Sequence, residues 1–95
     1  MRMKKKKNQM KHAKLRAGER YGIELKPNAY QTLLMMIWKP VKGKSAFLKR
    51  QSNRVTLWAL FYEDQWLPVV YDSIRKTIVT ILPAKVLKQY TRLLG

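Results

Sequence analysis

Two stretches near the start of the chain carry apolar residues at the spacing of a helix. The first covers residues 8–21 and stops at Gly22, because glycine readily adopts the left-handed conformation that ends helices. Its apolar positions are Ala13, Leu15, Ala17 and Tyr21. Its polar residues share one helix face, because their spacing follows the helical repeat: His12, Arg16, Glu19 and Arg20. The pattern predicts an amphipathic first helix with one strongly polar face.

The second stretch predicts a largely buried helix that begins at Pro27. Proline suits the first helical position, where its missing N–H is not needed, although Lys26 is a poor residue for the N-cap. Pro40 limits the helix at its other end. Its apolar positions are Tyr30, Leu33, Leu34 and Ile37, and Met35, Met36 and Trp38 widen the stripe. A helix with so wide an apolar face must pack on another layer of the protein.

The remainder of the chain predicts four β-strands joined by short turns. The strands cover residues 46–51, 54–62, 66–71 and 77–82. Pro68 demands a sheet edge or a bulge, because proline cannot donate a hydrogen bond to the ladder. The last strand is apolar on both faces except for its threonines, which is typical of a central strand. The short turns favour an antiparallel meander.

The second predicted strand divides its side chains between two faces, because successive residues of a strand point in opposite directions. One face carries Val55, Leu57, Ala59 and Phe61, and the other carries Arg54, Thr56, Trp58, Leu60 and Tyr62. We assign the first face to the core beneath the helices. Trp58 and Tyr62 are then expected on an open face beside Arg54, where their rings can stack on nucleic-acid bases.

The residues after Pro83 form a third amphipathic pattern, whose apolar positions are Val86, Leu87, Tyr90, Leu93 and Leu94. We interpret residues 84–95 as a short C-terminal helix that docks either on the domain or on a protein partner. Residues 11–83 form a single domain, and residues 1–10 form a basic flexible arm. The order of elements predicts an α+β fold in which N-terminal helices pack on a four-stranded antiparallel sheet.

The strongly positive net charge of the chain indicates that it binds a polyanion. The 95 residues include 21 Lys and Arg but only 5 Asp and Glu, which gives a formal net charge of +16. We expect a nucleic acid as partner, RNA rather than DNA, and no membrane, since no apolar run is long enough to span one. The chain contains no cysteine, which excludes disulfides and thiolate metal sites and fits a cytoplasmic location.

The predicted arm concentrates this charge. Its four consecutive lysines, Lys4, Lys5, Lys6 and Lys7, repel one another, so we expect the arm to become ordered only on a phosphate backbone. Lys11 extends the same basic surface. A tail that only keeps the protein in solution is the alternative.

Metal-free RNA cleavage is the enzymatic reaction that the residue types allow. Glu63, Asp64 and Asp72 lie at predicted hairpin turns, so we expect no metal site and no cofactor. A serine hydrolase is excluded because no serine lies in the sharp turn that such a nucleophile needs. In RNA cleavage the substrate supplies the nucleophile, its own 2′-hydroxyl, and the protein supplies a proton shuttle and positive charge.

The first helix offers both requirements. His12 can move a proton, because imidazole exchanges protons readily near neutral pH. Arg16 and Arg20 can hold the scissile phosphate and stabilise its developing charge. Glu19, Tyr71 or a lysine can act as the second proton carrier. A solvated basic helix with an incidental histidine accounts for the same residues without chemistry.

This arrangement resembles the small phage and bacterial proteins of the barnase, colicin and RelE-type ribonuclease superfamily. The resemblance covers about residues 11–83 and rests on the first helix through Gly22-Ile23, the proline-started helix, and the strands at residues 69–72 and 78–83. In those relatives a helix lies against a four-stranded antiparallel sheet, and the two form an RNA-cleaving or RNA-binding surface. The resemblance implies His12, Arg16, Arg54 and Thr80 as the matching positions.

Three functions remain open from the sequence. The chain can be a toxin-like endoribonuclease encoded by a phage or bacterium, or a noncatalytic nucleic-acid-binding phage accessory protein or ribonucleoprotein subunit. It can also be an inhibitor whose basic face covers an acidic site on another protein. RNA binding is common to the first two functions, and net charge does not separate the three. Thr80 also fits the plain role of a β-branched residue in a strand.

Overall fold

The computed structural model describes the backbone of residues 2–94 and the side chains of these residues apart from 2–8 and 93. It has two N-terminal helices, a four-stranded antiparallel sheet and a short helical C-terminal segment, which confirms the predicted α+β fold. The elements are α1 (Arg2–Tyr21), α2 (Pro27–Trp38), β1 (Ser45–Arg50), β2 (Val55–Tyr62), β3 (Gln65–Asp72), β4 (Thr77–Ile81), the 3₁₀ helix η1 (Ala84–Tyr90) and α3 (Thr91–Leu94).

Helix α1 begins at Arg2, whereas the sequence predicted a start near residue 8 after a separate arm. The lysine run contains no helix-breaking residue and lysine has a favourable helix propensity, so the helical backbone continues through it. The side chains of Lys4, Lys5, Lys6 and Lys7 lie outside the described residues. At the other end Gly22 adopts a φ of +64°, and its N–H donates to the carbonyl of Gly18 at 3.1 Å, which ends the helix as predicted.

Helix α2 begins at Pro27, and its N-cap residue Lys26 makes no side-chain capping bond. Its buried side chains are Tyr30, Leu33, Leu34, Met36 and Ile37. Met35 and Trp38, which were expected to widen the buried stripe, are instead exposed. The helix therefore lies on the sheet along one face and leaves its C-terminal tryptophan at the surface.

The strands follow one another across the sheet in the order β1-β2-β3-β4, so β4 is an edge strand rather than the predicted central one. Helix α1 runs alongside β4, with Gln9 bonded to Thr77 at the start of the strand and Tyr21 bonded to Leu82 just after its end. The hydroxyl of Tyr30 accepts from the N–H of Ile78 at 2.9 Å and donates to its carbonyl at 3.3 Å. These contacts cover the edge of the sheet. Ile78 and Ile81 pack in the core beneath the helices, and Val79 and Leu82 pack on the opposite face, which explains why β4 is apolar on both faces.

Pro68 lies inside the sheet, opposite Ala59 of β2, and not at an edge or a bulge as predicted. Its carbonyl accepts the N–H of Leu82 at 2.8 Å. In an antiparallel ladder the reciprocal bond would run from the N–H of residue 68 to the carbonyl of Leu82, and proline cannot donate it. The hydroxyl of Tyr21 donates to that carbonyl instead, at 2.5 Å. A side chain of α1 thus replaces the ladder bond that Pro68 removes.

Both faces of the sheet are covered, and this overturns the predicted choice of faces. The residues of β2 that face the helices are Trp58, Leu60 and Tyr62, and Trp58 and Tyr62 pack half-buried against the helix-side core. The opposite residues, Leu57 and Ala59, are buried beneath the C-terminal segment. The division into two sets was correct, but Trp58 and Tyr62 do not lie on an open face. They are not the free stacking surface that the sequence predicted.

The C-terminal segment folds back on the sheet, as expected if it docks on its own domain. Leu87 is buried in a cluster with Leu57, Ala59 and Val70 on this face of the sheet. Val86, Tyr90 and Leu94 pack against the same cluster. The predicted short C-terminal helix is present, and its residues 84–90 form a 3₁₀ helix. A 3₁₀ helix places residues three apart on one side, and this brings Leu87 and Tyr90 onto the sheet together.

Candidate nucleic-acid interface

Asp72, the last residue of β3, is the centre of the largest polar cluster among the described residues. Its side chain is 3% exposed. One carboxylate oxygen, Oδ2, accepts from Nη2 of Arg54 at 2.8 Å, from Nη1 of Arg75 at 3.2 Å and from Nε2 of Gln9 at 3.4 Å. Oδ1 accepts from Nε of Arg54 at 3.3 Å. The planar guanidinium of Arg54 therefore binds both carboxylate oxygens. The β1–β2 turn, the β3–β4 turn and helix α1 all contact this one buried charge.

The same carboxylate shapes the turn between β3 and β4. Its Oδ1 accepts the backbone N–H groups of Ile74 and Arg75, each at 3.0 Å. Burial by itself would raise the pKa of Asp72, but the bonds from Arg54, from the backbone and side chain of Arg75 and from Gln9 outweigh it and hold the pKa well below its usual range. The group is therefore a charged anchor and is unsuited to carrying protons near neutral pH.

We call the end of the sheet that holds Asp72 the basic end. It comprises the β1–β2 turn (residues 51–54), the β3–β4 turn (residues 73–76) and the strand residues beside them. Its cationic side chains are Lys49 and Arg50 at the end of β1 and Arg54, Arg75 and Lys76 in the two turns. The N-terminal part of α1, with Lys11 and the lysine run, leads toward the same end, because Gln9 bonds to both Asp72 and Thr77.

The remaining acidic residues lie elsewhere. Glu63 and Asp64 form the exposed β2–β3 turn at the opposite end of the sheet, where both adopt positive φ angles. Glu19 lies near the C-terminal end of α1, and Glu24 lies in the following loop, in a groove beside Lys14 and Gly18. Asp72 is thus the only one of the five acidic residues at the basic end, and its charge is already bound by two arginines.

The residues predicted for catalysis are only partly brought together. Arg16 and Glu19 form an ion pair at 2.8 Å, and Arg20 donates to the carbonyl of Ile81 at 2.6 Å. His12 is exposed, and no hydrogen bond among the described side chains joins it to the other predicted catalytic residues. All three charged residues of this helix face therefore bond either within α1 or to β4.

The two predicted catalytic residues of the sheet have structural surroundings. Tyr71 is 7% exposed in the helix-side core, and its hydroxyl accepts from Nε1 of Trp38 at 2.7 Å. Thr80 is half-buried in β4 and pairs with Val70 in the ladder. A buried tyrosine cannot meet a phosphate without opening the core. The described contacts therefore assemble no proton-transfer pair around His12.

The predicted nucleic-acid contacts also separate into two groups. Lys11 is exposed on α1, and Arg54 lies at the basic end, where Asp72 orients it. Trp58 is half-buried, and its Nε1 donates to the hydroxyl of Thr56 at 3.1 Å. Tyr62 lies at the opposite end of β2, next to the acidic turn. Arg54 and Lys11 therefore fit a phosphate-binding surface, whereas the two rings do not.

Sequence reasoning missed Asp72 as the organiser of the site and Trp38 as an exposed ring. Asp72 was classified as an ordinary turn residue, and only one signal pointed further: it follows a strongly apolar strand and precedes a turn that contains Arg75. Trp38 was placed within a buried stripe because it follows the helical repeat. Its 43% exposure reflects its position at the last residue of α2, where the helix leaves the sheet.

Other classes of site find no support among the described residues. No group of three or more His, Asp or Glu side chains is placed to hold a metal ion in that part of the chain. Within the same residues, no helix combines the length and apolar character needed to cross a membrane.

Comparisons with protein-family models, with curated proteins and with solved structures found no match for this chain. The resemblance to the barnase, colicin and RelE-type ribonucleases therefore rests on the residue pattern alone and stays a hypothesis. Any function has to be argued from the geometry of the site itself.

Proposed function

We propose that this protein binds nucleic acid, in the first place RNA, by placing phosphate groups on the basic end of the sheet. The observation that carries the proposal is the distribution of charge. The chain has 21 cationic and 5 acidic residues, yet the single acid at the basic end is buried and held by two guanidinium groups. An approaching phosphate would meet several cationic side chains there and no exposed acidic one among the described residues, which favours binding of a polyanion.

Asp72 supports this role by orienting its two arginines. The side chains of Arg54 and Arg75 keep 39% and 24% exposure, so part of each guanidinium reaches the solvent. A guanidinium has five N–H donors, and the described bonds to Asp72 occupy two of those of Arg54 and one of those of Arg75. The remaining donors are available to phosphate. Holding the side chains in place before binding lowers the ordering cost of the complex.

We propose RNA rather than DNA as the preferred ligand because an exposed aromatic ring, that of Trp38, lies near this surface. Unpaired bases stack on aromatic side chains, and loops and single strands are the segments that RNA-binding proteins usually recognise. Trp38 is such a ring, at the C-terminal end of α2. RNA cleavage remains a hypothesis from the sequence, because His12 has no positioned partner among the described side chains.

The test compares two double variants that remove the same charge from opposite ends of the sheet. Lys49→Gln with Lys76→Gln alters the basic end, and Lys42→Gln with Lys44→Gln alters exposed lysines at or before the start of β1, which lies at the other end. Binding of a fluorescent RNA is measured over a series of salt concentrations. We expect the first pair to weaken binding and to reduce the slope of log affinity against log salt by about 1.4 to 1.8, at about 0.7 to 0.9 per phosphate contact.

The control pair should change that slope by less than half as much. Equal effects of the two pairs would show that the charge acts diffusely and would contradict a phosphate site at the basic end. An affinity that does not depend on salt would remove the nucleic-acid proposal altogether. Incubation with RNA in chelator tests cleavage separately: cyclic-phosphate products that disappear in His12→Ala would establish it.

A further inference from the structure

A cleft of about 400 Å³ lies next to the basic end, between α1, α2 and the β3–β4 turn. Residues that line it include Met10, Tyr30, Gln31, Leu34, Trp38 and Lys76. Tyr30 and Leu34 are buried and form its floor, whereas Gln31, Trp38 and Lys76 are exposed and form its rim. The cleft is therefore apolar inside, with polar and cationic groups at its mouth. Its volume falls in the range of about 300 to 1,000 Å³ that is usual for small organic ligands.

Trp38 is the largest exposed side chain of this cleft, and its orientation is fixed. Its Nε1–H donates to the hydroxyl of Tyr71 at 2.7 Å, and Tyr71 is itself 7% exposed in the helix-side core. The polar atom of the indole is thus satisfied inside the protein, while 43% of the residue remains open to solvent. A ring held in this way loses little side-chain freedom when a second flat ring stacks on it.

The charge around the cleft indicates what kind of ring it receives. None of the described residues that line it is acidic, and Lys76 connects its rim to the neighbouring Arg75 of the basic end. A ligand that suits both surfaces needs a flat, largely apolar part for the cleft and a phosphate for the adjoining cations. An unpaired nucleotide in a strand has both parts.

We propose that the cleft binds one unpaired base of a single-stranded RNA whose phosphates lie on the basic end, with the ring of Trp38 as the stacking surface. This inference rests on the proposed function and adds to it the form of the nucleic acid and the residue that selects that form. A duplex keeps its bases stacked on one another, so it contacts the basic end without filling the cleft.

The first experiment measures affinity for a labelled oligouridine and for an RNA duplex of the same length. Trp38→Ala should weaken single-strand binding by about 5- to 150-fold, the range for loss of one stacked base, and should leave duplex binding unchanged. Phe47→Ala is the matched control, because Phe47 is an aromatic residue with a similar exposure of 49% that lies on β1, outside the cleft. It should change neither affinity. Circular dichroism of each variant checks the fold.

A second pair of variants keeps the test informative if Trp38→Ala does not fold. Gln31→Glu places a negative charge at the mouth of the cleft, whereas Thr32→Glu places the same charge on the next residue of α2, outside the cleft. Both side chains are exposed, so neither change should disturb the core. We expect Gln31→Glu to weaken oligouridine binding at least threefold more than Thr32→Glu does.

The outcomes separate this inference from the proposed function. If Trp38→Ala and Gln31→Glu leave the preference for single strands unchanged while binding still depends on salt, the cleft is not a base site but the basic end still binds phosphate. If the parent protein shows no salt-dependent binding to either RNA, the proposed function itself fails. A parent protein that forms a dimer, and a Trp38→Ala variant that is monomeric in light scattering, would show that the cleft instead receives a second copy of the chain.

Discussion

The two ends of the sheet differ in the burial and bonding of their acidic residues. At the basic end, Asp72 is buried and accepts bonds from Arg54, Arg75 and the backbone of its turn. At the other end, Glu63 and Asp64 are exposed in a tight turn. A buried carboxylate must be fully bonded, and the bonds that satisfy it also fix the positions of its arginines. The difference teaches that one acid can help build a cationic surface rather than cancel it.

The attachment of helix α1 to β4 shows the same contrast. Near the basic end, Gln9 bonds to the side chains of Asp72 and Thr77. Near the other end, Arg20 and Tyr21 donate to the main-chain carbonyls of Ile81 and Leu82. The first attachment includes a bond to a charged carboxylate, whereas the second is made entirely to neutral backbone carbonyls. The two ends should therefore respond differently to substitution and to pH.

The largest effect should come from removing the charge of Asp72. Asp72→Asn keeps the shape of the side chain but loses the charge-assisted bonds, so we expect it to lower the free energy of unfolding by about 3 kcal/mol. This loss of unfolding free energy lies at the lower end of the range for a broken buried ion pair, because the side chains of both arginines are partly exposed to water. The matched change Asp64→Asn, at the other end, should stay within about 0.5 kcal/mol. Urea unfolding measures both, and equal losses would contradict the comparison.

A smaller effect should appear as a dependence of stability on pH. The folded protein holds the pKa of Asp72 below its unfolded value of about 3.9, so the stabilisation is complete above that value. It is lost as the pH falls from about 4 toward the lower folded pKa, because the proton then binds more readily to the unfolded chain. Urea midpoints between about pH 2 and pH 7 should therefore fall less steeply in Asp72→Asn than in the parent protein. Asp64→Asn should keep the parental slope.

The smallest effect concerns the opposite attachment. Tyr21→Phe removes the bond to the carbonyl of Leu82, and we expect a loss of about 1 to 2 kcal/mol in unfolding free energy. Pro68→Ala restores an N–H that can donate to the same carbonyl. In that background Tyr21→Phe should cost at least about 0.5 kcal/mol less, a coupling that a double-mutant cycle in urea measures. Additive losses would show that the hydroxyl does not replace the missing ladder bond.

Sequence pattern predicted the local elements well because each of them is set by neighbouring residues. The alternation in β2 separated Leu57 and Ala59 from Trp58 and Tyr62 correctly. It could not say which set faces the helices, since both faces are covered and a period of two is the same on either side. The strand at residues 77–82 looked central because both of its faces are packed. No pattern within the strand reveals that α1 and Tyr30, rather than another strand, cover its outer edge.

The candidate site was harder to predict because its key property is burial. Asp72, Arg54, Arg75 and Gln9 come from separate elements, and the contact of Gln9 with Asp72 spans 63 positions of the sequence. The charges were visible in the sequence, but their pairing was not. Trp38 likewise fitted a buried helical stripe, and only the point at which α2 leaves the sheet exposes it. Net charge gives the expectation of a polyanionic partner, whereas the grouping of the cations at one end of the sheet is visible only in the tertiary structure.

The contact between α1 and β4 also has a consequence for the order of folding. Arg20 and Ile81, which hydrogen-bond to each other, are 61 positions apart, and the helix emerges from the ribosome long before its strand. Until then the buried positions of α1, Ala13 and Ala17, have no strand to cover them. Long-range pairing is the slow part of folding, because the chain loses conformational entropy on closing a long loop before the stabilising contacts form. We therefore expect α1 to dock in the last step of folding, after the meander that ends in β4 has formed.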